Sequence, residues 1–104
     1  MLGRLEEFTL MAALRAGPAA LPSAIYDVLV NTTSEGQKPP SFGAIYTTLN
    51  RMADKGLLSL GGTTDGRGRE RRTFTVTANG QREMMNNHQQ FARLGGLSLA
   101  RSFA

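Results

Sequence analysis

Arg67, Arg69, Arg71 and Arg72 put four guanidinium groups within six residues, the densest set of chemically capable side chains in this sequence. Guanidinium is always charged and presents a planar fork of donors that matches phosphate or carboxylate oxygens. The arginines follow or interrupt a glycine-rich run, GGTTDGRGRE, from Gly61 to Glu70. Gly61, Gly62, Gly66 and Gly68 allow backbone amides to come close to an anion. The run lacks the Lys-Ser or Lys-Thr ending of a nucleotide-binding loop, so its chemistry is that of phosphate contact rather than phosphoryl transfer.

The rest of the inventory argues against catalysis. There is no cysteine, which excludes disulfides, thiolate zinc sites and cysteine nucleophiles. His88 is the single histidine, and it lies in a methionine-rich helical segment where a dimer or surface role suits it better than that of a general base. The acids are scattered singly. No enzyme activity, cofactor or metal is expected.

Charge placement singles out the same region. Arg4 and Arg15 against Glu6, Glu7, Asp27 and Glu35 leave residues 1–35 at −2. Residues 36–82 hold eight Lys or Arg against Asp54, Asp65 and Glu70, a net +5, and residues 83–104 add +1. A field of one sign gathered on one segment steers an anionic partner. The competing account, a merely solubilising loop, explains the arginines but not their company. With 104 residues, 40 % hydrophobic and 19 % charged, the chain can build one modest core. It has no apolar run long enough for a membrane span and no secretory pattern at its start, so a cytoplasmic protein is expected.

The elements that must position these groups are legible from periodicity and punctuation. Leu5, Phe8, Leu10, Ala12 and Leu14 predict a first helix to about Ala16, stopped by Gly17-Pro18. Pro22 and Ser23 open a second, with Leu21, Ile25, Val28 and Leu29 as its core stripe. A polar loop over Asn31–Pro40 follows. Ser41, directly after two prolines, caps a third helix that Gly56 ends. Its buried stripe is expected to be Phe42, Ile45, Leu49 and Met52. The opposite stripe, Ala44, Thr47, Thr48, Arg51 and Lys55, carries small or cationic side chains and no acid, as a face lying against DNA requires. Leu57, Leu58 and Leu60 predict one strand and Arg72–Thr77 another, joined by the arginine loop. Thr77 or Asn79 then caps a fourth helix reaching about Leu94. Met84, Met85, His88, Phe91 and Leu94 give it apolar surface that either pairs with a second copy or folds back on the first helix, and the two arrangements are compatible. Gly95-Gly96 breaks it before a short tail.

A helix followed by a hairpin with a cationic tip is the pattern of a winged helix-turn-helix. The chain also resembles the PadR family of transcriptional regulators over about residues 2–90. The resemblance rests on Leu2-Gly3 with Glu7; on Phe42-Gly43-Ala44-Ile45-Tyr46-Thr47-Thr48-Leu49-Asn50-Arg51-Met52; on Lys55-Gly56-Leu57-Leu58; on Gly68-Arg69-Glu70-Arg71-Arg72-Thr73-Phe74; and on Thr77 with Gly80. Phe42 and Thr47 stand where the family often has proline, and Ala44 where a hydroxyl is common, which bears on operator preference rather than fold. The absence of tryptophan removes the stacking residue with which some members hold flat drugs. The short C-terminus resembles members with a single C-terminal helix.

The fold class expected is α+β, mainly helical. It comprises a winged helix-turn-helix DNA-binding domain over residues 1–80 and a dimerisation helix with its tail over 81–104. The function expected is a sequence-specific DNA-binding transcriptional regulator. The resemblance implies a repressor acting as a homodimer on a pseudo-palindromic operator in double-stranded DNA, with any small-molecule effector unspecified. The expected DNA contacts are Ser41, Ala44, Tyr46, Thr47, Thr48, Arg51 and Lys55 on the helix and Arg67, Arg69, Arg71 and Arg72 on the wing. For Tyr46 a phosphate contact and a core ring with a surface hydroxyl remain open. The expected dimer interface is Met84, Met85, His88, Phe91 and Leu94. The alternative is a winged-helix adaptor that binds protein, although such adaptors usually show an apolar patch in place of an arginine wing.

Overall fold

A computed structural model describes residues 2–96. The order is α1 (Arg4–Ala16), α2 (Pro22–Thr32), α3 (Phe42–Asp54), β1 (Leu58–Thr64), β2 (Glu70–Val76) and α4 (Ala78–Arg93). This is the expected α+β, mainly helical architecture. The tail 97–104 lies outside the described residues.

Local chemistry sets most boundaries. Ser41 accepts a hydrogen bond from the Ala44 amide at 3.1 Å and so caps α3. Gly56, at φ +77°, turns the chain out of that helix in the left-handed region that a side chain disfavours. Of the two candidate caps for α4, Thr77 is the one used: its hydroxyl accepts from the Gly80 amide at 3.0 Å and donates to the Gly56 carbonyl at 2.7 Å.

β1 and β2 pair antiparallel in one register, from Leu58 opposite Val76 to Thr64 opposite Glu70. Gly61 and Gly62, expected in the loop, are therefore strand residues. The β-branched Thr63 and Thr64 carry the ladder past them, and the turn shrinks to residues 65–69. A second, short pairing joins Ala20 and Phe74, whose amides and carbonyls exchange two bonds of 2.9 Å. Ala19 sits at φ +52°, and its amide donates to the Thr75 hydroxyl at 2.9 Å. That strained residue aims the α1–α2 link at the wing.

Leu10, Ile25, Ile45, Leu49, Met52 and Phe74 form the fully buried centre. α1 differs from its expected face. It turns Thr9, Leu10, Ala12 and Ala13 inward, while Leu5, Phe8, Met11 and Leu14 are exposed. The helix is apolar on both sides, and the small alanines let it approach the core closely. Phe42 also leaves its expected place: it is 45 % exposed and packs edge-on against Tyr26, with ring centroids 5.4 Å apart.

Gly80 is buried where α4 crosses the base of β1. A Cβ there would collide with the Leu57 carbonyl oxygen and press on Val76. Gly80→Ala is expected to destabilise the fold by roughly 1–3 kcal/mol through overpacking, against a backbone atom that cannot swing aside. Chemical denaturation checks this, and a loss below about 0.5 kcal/mol would mean that α4 docks more loosely.

Candidate nucleic-acid interface

α3 is amphipathic, but its phase differs from the expected one. Ile45, Thr48, Leu49 and Met52 are buried, at i, i+3, i+4 and i+7. The outward face is Gly43, Tyr46, Thr47, Asn50, Arg51 and Asp54. Thr48 is a correction: it is 3 % exposed and cannot read bases. Its hydroxyl donates to the Ala44 carbonyl at 2.8 Å, which removes the penalty of burying it. Ala44 is half-buried beside it. The outward face, expected to carry no acid, has Asp54 on it near the helix end.

Lys55, at the helix end, is exposed and already has a partner: its ammonium binds Glu6 Oε2 of α1 at 2.9 Å. That bond, chiefly, holds the Glu6 carboxyl below its ordinary value, aided by the Gly3 amide and opposed by partial burial. Lys55 thus ties α3 to α1 through a surface ion pair. Among the described residues Arg51 makes no ion pair.

Tyr46 and Thr47 both reach solvent. The Tyr46 ring stacks on Phe42, 6.2 Å between centroids and 26° apart in plane, so its body is supported and its edge is exposed. At the start of α3 Ser41 is exposed.

The wing joins this face through a residue that the sequence reading passed over. Arg72 of β2 donates through Nη1 to Asn50 Oδ1, while Asn50 Nδ2 donates to the Tyr46 carbonyl at 2.9 Å. Helix and wing are therefore locked into one surface. Asn50 lies three and four residues from Thr47 and Tyr46, so the helical period alone could have placed it there. At the tip, Arg67 and Arg69 are exposed and, among the described residues, in no ion pair. Arg71 sits 3.4 Å from Asp65 Oδ2 through Nε.

These positions separate two neighbouring threonines. Thr47→Ala is expected to cost about 1 kcal/mol on a preferred DNA site and less on random duplex, with stability unchanged. Thr48→Ala is expected to act on stability alone. Filter binding and thermal melting of both variants distinguish them, and a specificity loss confined to Thr48→Ala would overturn the assigned faces.

The expected dimer positions also divide. Met84 is half-buried and packs on its own chain's core, so it is used within the protomer. Asn87 ties α4 back to α1, exchanging bonds with the Leu2 backbone and donating to Glu7 Oε2 at 2.8 Å. Met85, His88, Phe91 and Leu94 remain exposed. The uncovered side of α1, with Leu5, Phe8, Met11 and Leu14, and Val28 of α2 line a groove of about 970 Å³.

Three helices, an outward recognition face and a two-stranded arginine-bearing hairpin beside it define a winged helix-turn-helix protein. A family model described as the transcriptional regulator PadR-like family matches residues 23–86, and the chain belongs to that family. The fold is similar to that of a PadR family transcription regulator from Clostridium difficile at 17 % identity and TM-score 0.73, covering 98 % of this chain and 100 % of that one. It is also similar to a PadR family transcriptional regulator from Eggerthella lenta at 19 % identity and TM-score 0.69, covering 88 % and 79 % of the two chains. No curated protein sequence matches the chain closely. Among the described residues no helix is long and apolar enough to cross a membrane.

Proposed function

We propose that this protein is a cytoplasmic, sequence-specific DNA-binding regulator, a repressor that occupies a pseudo-palindromic operator as a homodimer. The observation that carries the reading is the single surface made by Tyr46, Thr47, Asn50 and Arg51 of α3 and the arginines of the wing, joined by the Arg72–Asn50 bond. A helix of this width enters the major groove, and threonine there offers both a hydroxyl and a methyl for base edges. Arg67 and Arg69 then reach phosphates beside the groove, where they fix register without reading sequence. Membership of a transcriptional-regulator family supports the regulatory role.

The adaptor alternative would place a protein on an apolar patch. The exposed aliphatic side chains gather on α1 and on the distal part of α4, while the α3–wing face carries the arginines beside the Phe42–Tyr46 ring pair, which favours nucleic acid there.

Binding to duplex DNA as a function of salt tests the reading. Changing Arg67 and Arg69 together to Ala is expected to weaken operator and random DNA by similar factors. The slope of log K against log salt becomes shallower by about 0.9 for each lost contact. An unchanged slope removes the wing from the interface, and salt-independent binding of the wild type sinks the proposal. Sequencing the genomic fragments retained on the protein gives the operator.

A further inference from the structure

The wing tip carries an acid where a phosphate-binding surface should have none. Asp65 opens the turn between β1 and β2, two residues before Arg67. A solvated carboxylate there would repel the DNA backbone and lower affinity. Its contacts give it another use. Asp65 Oδ1 accepts from the Arg67 amide at 2.8 Å and from the Arg69 amide at 3.0 Å. Oδ2 lies 3.4 Å from Arg71 Nε. The Asp65 backbone completes the loop: its amide donates to the Arg69 carbonyl at 2.9 Å, and its carbonyl accepts from the Gly68 amide at 3.0 Å. Gly68, at φ +79°, supplies the left-handed residue that closes a three-residue hairpin loop. The two amide bonds, first that from Arg67 and then that from Arg69, hold the carboxyl below its ordinary value, with Arg71 contributing less.

From this geometry we infer that Asp65 is a positioning residue for the phosphate-binding wing: its side chain fixes the turn from which Arg67 and Arg69 project, and it steadies Arg71 alongside. The inference rests on the DNA-binding reading above. An exposed glycine-rich turn would otherwise sample many conformations, and ordering two long arginines on it would reduce the affinity gained from each contact. The carboxylate's charge is taken up by two amides and a guanidinium, so the turn is ordered with little repulsion of the backbone it faces.

The inference predicts a sign opposite to that of simple electrostatics. If Asp65 were only a negative charge near phosphates, removing it would tighten DNA binding whatever replaced it. Glu70 is the internal comparison: it is exposed at the start of β2, and among the described residues its carboxylate accepts no hydrogen bond. Duplex-DNA affinity is measured by fluorescence anisotropy across a salt series for wild type, Asp65→Ala, Asp65→Asn and Glu70→Gln. Asp65→Ala is expected to bind roughly three- to tenfold more weakly, with a shallower salt slope, although it gains a unit of positive charge. Asp65→Asn keeps an oxygen that accepts from both amides, and is expected to bind at least as tightly as wild type. Glu70→Gln is expected to bind as tightly or more tightly. Amide hydrogen exchange at Arg67 and Arg69 is expected to quicken in Asp65→Ala and not in Asp65→Asn. If Asp65→Ala binds as tightly as Asp65→Asn, or if the two amides exchange alike in both, the positioning role is overturned while DNA binding stands. If the wild type shows no salt-dependent binding, the DNA-binding reading fails and the inference fails with it.

Discussion

Phe74→Ala is expected to lower the stability of this protein by about 3–5 kcal/mol, the range for deleting a buried aromatic ring. Domains of this kind are stable by roughly 5–15 kcal/mol in total, so the variant stands at the edge of folding. Phe74 is fully buried and lies on the strand that meets both Leu60 across the hairpin and Ala20 across the short bridge. Its ring is the point where the wing and the helical core share one interior. Truncation leaves the two Ala20 backbone bonds in place but empties the space they enclose. Leu60→Ala, opposite Phe74 but exposed, is expected to change stability by no more than about 0.5 kcal/mol. Urea denaturation with an unchanged m-value checks both. A loss below about 1 kcal/mol for Phe74→Ala would show that the hairpin contributes little to the core.

Phe91→Asp is expected to convert the proposed dimer into a monomer and to weaken a palindromic site by roughly 10²–10⁴-fold, the gain that linking two half-site contacts supplies. In the proposed complex one protomer presents one α3 to one half-site. Two copies about a two-fold axis place their recognition helices about 34 Å apart, one turn of DNA. The surfaces left for such an axis are the outer side of α1, with Phe8 50 % exposed, and the distal part of α4, with Phe91 51 % exposed. α4 meets its own chain through Gly80, Met84 and Asn87 and then runs on with its apolar residues uncovered. Exposed apolar area gathered on two neighbouring elements favours association. Light scattering at micromolar protein measures the mass directly. A monomeric wild type that binds a palindrome tightly would end the dimer proposal. A dimer indifferent to both Phe91→Asp and Met85→Asp would place its interface elsewhere.

The elements were legible because their signals are local. Ser41 after two prolines, Gly56 after an apolar period and Thr77 before α4 each act within one turn of the chain, and each stands where the sequence placed it. The phase of α3 was not legible. Thr47 and Thr48 are the same residue type 100° apart; packing of Ile45, Leu49 and Met52 on the core turns Thr48 inward, and the Ala44 carbonyl then satisfies its hydroxyl. Lys55 looked like part of a cationic stripe because its partner, Glu6, lies in another helix far back in the chain. The Asn50–Arg72 and Ala20–Phe74 pairs were hidden for the same reason: nothing near them in sequence announces a partner across the fold. The double-sided apolarity of α1 was read as one face because periodicity reports that a helix has apolar residues, not how many neighbours arrive to cover them.

The Thr77 hydroxyl, bonded at once to Gly56 at the end of α3 and to Gly80 at the start of α4, makes a stiff elbow between two rods. With 16 residues α4 is about 24 Å long at 1.5 Å per residue. In a dimer gripped near the far end of that rod, a tilt of about 10° swings the elbow, and α3 with it, by about 4 Å. The rise of one base pair is about 3.4 Å. A small change in the pairing angle of two distant helices is thus geared up, at the reading heads, to a slip of about one base pair in the spacing they measure.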